Sequence, residues 1–454
     1  MQPRDPTAVR SKSDLIAAGG KLVGPPAPTL RSLAALGMGN AFELYDFLTF
    51  STFAIQIGRS LFPRGATSTA LLSSLALFGA GFFSRPLGAL IIGRYADRSS
   101  RKGAMVFSFV LMGVATLSLA ATPSYADVGL AAPLWALASR LLQGFALGAE
   151  IGPSTAYLLE AAPLHRRGLF VAVQSATQGL AMLAAALLGF ELSRHMSEAV
   201  LDAWGWRASL LVGVLVTPLG IYLRRALPEG ACEAAPTLHS KPTTTRLPMH
   251  LLALGLPLLA AMTIATYVRS YMTTYVQDTL HLSPTIAFGA GMLAGGCALI
   301  ACPLAGAISD RAGRKRIMLA ALMLSAALSV PGFLWIHRVP TTLVICTVTT
   351  VLSFIGWTGN VVGLIALCEA FPHSHRSAAL GTVYAAAIAL AGGSTQFVVQ
   401  WLIHVTGNPL APAWYSMAAL LVGTVAAIGL PETAPKACEV NQGPVRGAMN
   451  ALSR

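Results

Sequence analysis

A helix that crosses a bilayer needs about 20 predominantly apolar residues, and this chain supplies one such run after another. Met105–Ala121, Ala208–Leu223 and Trp414–Leu430 each reach that length with a few flanking residues. Charge is correspondingly scarce: 11% of the 454 residues are charged and the mean hydropathy is +0.65. That is too little charge to cover a water-soluble surface of this size. The apolar stretches predict spans near 32–56, 69–93, 104–122, 130–158, 168–193, 208–227, 249–277, 285–308, 315–336, 342–368, 378–405 and 412–430. The expected fold class is an all-α polytopic membrane protein with twelve transmembrane helices.

The breaks between runs divide the chain. Residues 1–30, with Pro3, Pro6, Pro25, Pro26 and Pro28, read as a disordered cytoplasmic tail and not as an apolar secretory segment. The longest polar interruption, 228–247, carries Glu229, Pro236, Lys241 and Pro242 and reads as a cytoplasmic linker. It separates an N-terminal six-helix bundle, 31–227, from a C-terminal one, 248–431, which a second cytoplasmic tail, 432–454, follows.

Lysine and arginine set the orientation, because cytoplasmic loops carry them in excess. With both ends inside, 23 of the 31 basic residues fall in cytoplasmic segments and five (Arg59, Arg64, Arg194, Arg207, Arg338) fall outside. The formal charge of +13 therefore reflects membrane orientation and not a nucleic-acid surface. The six cysteines lack the paired spacing of a metal site or a disulfide frame. No nucleophile elbow, phosphate loop or metal-spaced cluster points to an enzyme, a metal or a cofactor.

Two motifs recur at nearly one offset. Gly93-Arg-Tyr-Ala-Asp97-Arg98-Ser-Ser-Arg101-Lys102 returns as Gly306-Ala-Ile-Ser-Asp310-Arg311-Ala-Gly313-Arg314-Lys315, a shift of 213. Glu160-Ala-Ala-Pro163 with Arg167 returns as Glu369-Ala-Phe-Pro372 with Arg376, a shift of 209. Two motifs kept at almost one shift imply an internal duplication of six spans, the arrangement that places a site between halves at mid-membrane.

These loops resemble the signature of the major facilitator superfamily, with Ser100 replacing a glycine in the first copy. Arg140-Leu-Leu-Gln143-Gly144 resembles its fourth-helix motif. Gly39-Asn40-Ala-Phe-Glu43-Leu-Tyr45-Asp46-Phe47 is similar to the first-helix signature of the metabolite:proton symporters, and Ser84-Arg85-Pro86-Leu87-Gly88 and Trp204-Gly205-Trp206-Arg207 agree with it. Gly392-Gly393-Ser-Thr-Gln396 and Trp401-Leu-Ile-His-Val-Thr406-Gly407 resemble the citrate-type branch. The resemblance implies two pseudo-symmetric six-helix bundles in a bacterial inner membrane, working as a monomer. It implies proton-coupled import of a small carboxylated metabolite, citrate or a related di- or tricarboxylate, by alternating access. Within the same resemblance the cargo could instead be a betaine-like zwitterion, a shikimate-like or aromatic monocarboxylate, or an exported drug. A ligand sensor has no signalling domain to support it.

An ionisable group at membrane depth costs at least about 2.5 kcal/mol unless it meets a partner or a wet cavity. Spacing puts Glu43 and Asp46 on one helical face with Asn40, and Arg140, Gln143 and Glu150 on another. In the superfamily the first and fourth helices line one cavity, which implies an Asp46–Arg140 pair, with Glu43 or Asp46 as the proton carrier and Glu150 nearby. Arg85 and Arg269 are candidates for a substrate carboxylate, since a guanidinium forks onto one. Tyr267 and Tyr271 lie on roughly the opposite face of the seventh span from Arg269, and the resemblance turns those tyrosines to the pathway. Either that helix unwinds or one set of residues merely packs. Asn360 and Gln396 are candidate hydrogen-bonding residues from the C-terminal half. Asp97, Arg98, Arg101, Glu160, Asp310, Arg311, Arg314 and Glu369 are expected to latch the two halves at the cytoplasmic face, a gating role carried over from the superfamily.

Overall fold

The twelve apolar runs fold as twelve helical passes. The computed structural model describes residues 30–63, 67–98, 101–148, 155, 158–159, 162–225, 249–372 and 376–434. The expected linker 228–247, most of both expected tails, Glu150 and Glu160 lie outside the described residues, as do the side chains of Glu43, Asp97, Arg98 and Arg101.

The N-terminal half holds α1 (Leu30–Thr52, continuing as Ala54–Leu61), α2 (Thr67–Phe83, continuing as Arg85–Arg98), α3 (Arg101–Ala120), α4 (Ala131–Leu147), α5 (Arg167–His195) and α6 (Trp206–Arg225). The C-terminal half holds α7 (Met249–Ser270, continuing through Met272–Thr274 and Tyr275–Thr279), α8 (Pro284–Ala312), α9 (Arg314–Arg338) and α10 (Thr342–Ala370). It ends with α11 (Arg376–Ala387, Ile388–Gly392 and Gly393–Thr406) and α12 (Ala411–Ile428). Eight of these passes are long and apolar enough to span a membrane on length and composition alone, and α1, α3, α4 and α6 complete the twelve. In hydrocarbon every backbone N–H and C=O must be satisfied internally, which is why the described chain is helical wherever it is apolar.

Helix breaks fall where chemistry needs them. α2 turns at Ser84 because Pro86 lacks an N–H and its ring opposes the carbonyl four residues earlier. Ser84 Oγ donates to the carbonyls of Gly81 (3.1 Å) and Leu141 (2.7 Å), tying the break to α4. α7 turns at Tyr271 and ends in a wide π-helical stretch, Tyr275–Thr279, and α11 widens similarly at Ile388–Gly392.

Within the N-terminal half, α1 packs on α5 and α6, α3 on α4 and α6, and α2 on α4. Within the C-terminal half, α7 packs on α12, α10 and α11, while α9 and α8 flank α10. Two seams join the halves: α5 along α8, and α2 along α11. The internal repeat maps α2 onto α8 and α5 onto α11, so the two seams are images of one another. Lipid supplies no hydrophobic drive between helices, so such seams depend on close backbone approach at small residues. A Cβ placed on Gly179 of α5 would overlap the Cβ of Ala298 and lie 2.8 Å from the carbonyl oxygen of Gly295 on α8. A Cβ on Gly79 of α2 would overlap the carbonyl of Gly393 on α11.

Gly179→Val should therefore destabilise the protein by about 1–3 kcal/mol through overpacking. Circular dichroism of the purified protein should show an unchanged helical spectrum and a lowered unfolding temperature. An unchanged temperature would show that the seam is looser than these contacts imply.

Candidate functional site

The seams leave a cavity between the halves. Asn40 and Leu44 of α1, Arg85 of α2 and Gln174, Ser175 and Gln178 of α5 form one wall. Thr263, Thr266 and Tyr267 of α7, Asn360 of α10 and Tyr384 of α11 form the other. Along α1, α7 and α11 these residues precede a plug that closes one end. In the plug Gln396 Nε2 donates to Ser51 Oγ (2.7 Å), which lies 3.2 Å from Ser270 Oγ. Gln56 Nε2 donates to Gln277 Oε1 (2.9 Å), and Phe53 packs on Phe288 in a tilted pair with centroids 5.0 Å apart. The cavity thus lies between this plug and the end of the bundle that carries the repeated loop motifs.

The charge at the cavity wall is positive. The Arg85 guanidinium sits 4.5 Å from the Phe47 ring centroid and 4.4 Å from that of Phe82, and Nε and Nη2 have no hydrogen-bond partner. On the other face of this aromatic cluster, Arg140 lies 4.2 Å from Phe47 and 4.5 Å from Phe50 and is fully buried. Its Nη1 donates to Gln143 Oε1 (2.8 Å) and its Nη2 to the Phe78 carbonyl (3.2 Å). Neither arginine has an ion-pair partner among the described residues. A cation over a ring face gains about 0.5–2 kcal/mol, less than the several kcal/mol that burying an ion costs. Two buried guanidiniums around one ring therefore leave a net attraction for an anion.

Asp46 stands behind this wall, inside the N-terminal half. Thr116 Oγ1 of α3 donates to its Oδ2 (3.0 Å), while Oδ1 faces Gly213 of α6 and has no hydrogen-bond partner. The resemblance implied a direct Asp46–Arg140 pair, but the two are bridged: Gln143 Nε2 donates to Thr116 Oγ1 (3.0 Å), and Arg140 donates to Gln143. Nor do Asn40 and Asp46 share a face. Asn40 donates to the Gln174 carbonyl and to Thr177 Oγ1 on α5, whereas Asp46 points at α3 and α6. Two successive three-residue steps fall a third of a turn short of two full turns at 3.6 residues per turn, so the stripe had drifted off the face. Thr116 escaped sequence analysis because a lone threonine in an apolar helix carries no spacing signal.

A model of the Major Facilitator Superfamily matches residues 47–394 and, in a second alignment, 258–448. The chain belongs to the major facilitator superfamily. Among superfamily relatives, the citrate-proton symporter of Salmonella typhi is 33% identical over 408 residues, covering 88% of this chain and 93% of the relative. The α-ketoglutarate permease of Escherichia coli (strain K12) is 30% identical, covering 85% and 89%. A crystal structure of a D-xylose-proton symporter superposes with a TM-score of 0.71 at 20% identity, over 89% of this chain and 98% of that one, a likeness of fold.

The superfamily expectation for α7 resolves into two faces. Tyr267 lines the cavity beside Thr266, whereas Arg269 turns away from it: Nη2 donates to Thr266 Oγ1 (2.9 Å), and the side chain lies over Gly356 and 5.9 Å from the Trp357 ring. Asn360 Nδ2 reaches the same Thr266 hydroxyl (3.3 Å), so Arg269 stands one hydrogen bond behind the wall. Tyr271 instead donates to Gln400 Oε1, and Gln396 belongs to the plug. Cavity residues that sequence analysis missed include Gln174, Thr263 and Tyr384, none of which carries a motif.

At the motif end, the C-terminal loop is a closed ion network. Arg314 donates to Asp310 Oδ1 (2.5 Å), to both oxygens of Glu369 (3.1 and 3.2 Å) and to Ser309 Oγ (2.7 Å). Asp310 in turn accepts the backbone N–H of Gly168 at the start of α5 (3.0 Å), a bond that crosses between the halves. Arg311 is exposed and stands outside the network. The segment expected to begin a free tail at 432 is held here. Glu432 accepts the backbone N–H groups of Arg314 (2.8 Å) and Lys315 (3.1 Å), capping α9, and Thr433 Oγ1 donates to Glu369 (2.8 Å).

The Arg314, Asp310 and Glu369 side chains are 0%, 4% and 5% exposed. Arg314→Ala strands two buried carboxylates and should cost about 3–5 kcal/mol. Thermal unfolding in detergent measures this, and a loss below about 1 kcal/mol, the worth of a surface pair, would mean that water reaches the cluster.

Proposed function

We propose that the protein is a proton-coupled symporter that imports a small carboxylated metabolite, citrate or a related di- or tricarboxylate. The observation that carries this reading is Arg85: a guanidinium at the cavity wall, with unfilled N–H donors and no carboxylate among the described lining residues. The neutral donors opposite it, Thr263, Tyr267, Asn360 and Tyr384, suit the further oxygens of such an anion. Relatives named for citrate and α-ketoglutarate support the same substrate class.

The charge arrangement supplies a sign for coupling. With Asp46 ionised, its charge offsets that of Arg140. Once Asp46 binds a proton, Arg85 and Arg140 are both uncompensated, and the cavity attracts an anion more strongly. Linkage makes the effect mutual: a bound anion favours the proton on Asp46. Carrying protons with the anion also reduces the charge moved across the membrane, worth about 2.3 kcal/mol per charge per 100 mV.

In this reading the protein lies in a bacterial inner membrane as a monomer, with both termini and the motif loops cytoplasmic. The plug then closes the outer side, and the cavity sits toward the cytoplasm. Rocking of the halves along the α5–α8 and α2–α11 seams would part the plug, while the Asp310–Gly168 bond would hold the inner side shut.

Purified protein in liposomes should accumulate radiolabelled citrate under an inward proton gradient and lose it with an uncoupler. Arg85→Gln should weaken apparent citrate affinity about ten- to a hundredfold, the worth of a charge-assisted bond of about 1.5–3 kcal/mol. Asp46→Asn should abolish gradient-driven accumulation. Citrate uptake indifferent to the gradient would remove the symport reading, and betaine uptake without citrate uptake would replace the substrate class.

A further inference from the structure

The bridge between Arg140 and Asp46 has a fixed direction. A guanidinium can only donate, so Gln143 must present its oxygen to Arg140. The Gln143 amide nitrogen is then left at the other end, where it can only donate, and it meets Thr116 Oγ1 at 3.0 Å. The single hydroxyl proton of Thr116 is thereby directed to Asp46 Oδ2, 3.0 Å away. Every link donates toward Asp46, and Arg140, Gln143, Thr116 and Asp46 are all buried.

We infer that Thr116 and Gln143 form a one-way hydrogen-bond relay through which the protonation state of Asp46 sets how firmly Arg140 is held away from the cavity. The inference rests on the proton-symport reading above. Protonation forms one O–H bond on the Asp46 carboxylate and removes its negative charge; no other covalent bond changes. The terminal acceptor then becomes neutral, and a hydrogen bond to a neutral acceptor is worth about half of one to an ion. Oδ1 is unpartnered and takes the proton, so Oδ2 goes on accepting from Thr116 as the oxygen of a neutral acid. The line cannot reverse, because its far end is a guanidinium. The arrangement therefore loosens link by link, and Arg140, already over the Phe47 ring, gains freedom to shift toward the cavity. Such chains strengthen cooperatively when all their dipoles align, so removing an interior link should disconnect both ends.

No other charge among the described residues contacts the Asp46 carboxyl. α3 presents Thr116 to it and α6 presents Gly213, while the neighbouring Tyr45 of α1 gives its hydroxyl to the Ser209 carbonyl (3.0 Å). Thr116 and Gln143 are not among the residues that line the cavity, so they act as positioning residues, not as substrate ligands.

Two readouts on the same liposomes separate relay from scaffold: accumulation of labelled citrate under an inward proton gradient, and citrate–citrate exchange at equal pH, which needs no net proton movement. Thr116→Val keeps shape and removes the hydroxyl. It should lower the ratio of accumulation to exchange at least tenfold and flatten the dependence of uptake on external pH. Thr116→Ser, which restores the hydroxyl, should recover the wild-type ratio. Gln143→Leu breaks the chain independently and should reproduce the Thr116→Val result, which protects the test should one variant fold poorly. A wild-type ratio in either broken-chain variant, or an equal loss in Thr116→Ser, overturns the relay and leaves the symport reading standing. Wild-type protein that exchanges citrate but does not accumulate it overturns the symport reading, and the relay with it.

Discussion

Two guanidinium groups bracket the ring of Phe47 at mid-depth, Arg85 at 4.5 Å and Arg140 at 4.2 Å, and neither meets a carboxylate among the described residues. Such an arrangement is unstable in hydrocarbon unless the surrounding protein holds it. The first means of support is aromatic: Phe47, Phe50, Phe78 and Phe82 turn ring faces to the two cations. The second is the hydrogen-bonded line from Arg140 to Asp46, which spreads the compensating charge across α1, α3 and α4. In the proposed reading, the cavity's affinity for anions and its sensitivity to a proton both follow from keeping that compensation indirect.

The same helices must also move. Small residues let α5 meet α8 and α2 meet α11 backbone to backbone. The plug is built differently, from neutral hydrogen bonds between Ser51, Ser270, Gln396, Gln56 and Gln277 and a tilted aromatic pair. Each such bond is worth about 1 kcal/mol net, so the plug can part without exposing an unpaired charge. The motif end holds the costlier contact: its ion network is buried within the C-terminal half, and among the described residues the Asp310–Gly168 bond reaches across. The described ion network can stay paired while the halves separate, because this link across them is to a neutral backbone N–H.

The short segment after α12 adds to that network. Glu432 caps α9, while Lys315 Nζ reaches back to the Ile428 and Leu430 carbonyls at the end of α12 (2.6 and 2.9 Å). Each side chain satisfies the other helix's unpaired terminal groups. The loop between α8 and α9 is thereby tied to the last helix, and the C-terminal half can move as one body.

Chain-wide periodicities were enough to determine the fold: the length of the apolar runs, the recurrence of two motifs near one shift, and the repeated signature segments. These depend on composition over tens of residues and survive small errors in facing. Arg85 was also legible as a charge in an apolar run that needs a partner or a wet cavity, although the helix break at Ser84 was not read from Pro86. What tertiary structure alone decided is where each remaining charge points. Three-residue spacing suggested a common face for Asn40 and Asp46, but the fractional turn accumulates, and they serve different surfaces. Arg269 looked as central as Arg85, yet packing against Gly356 turns it behind the wall. Thr116, the residue that contacts Asp46, lies 70 positions away on another helix and no local pattern marks it. Sequence records the cost of putting a charge in the membrane; only the packing of distant helices determines which group compensates it.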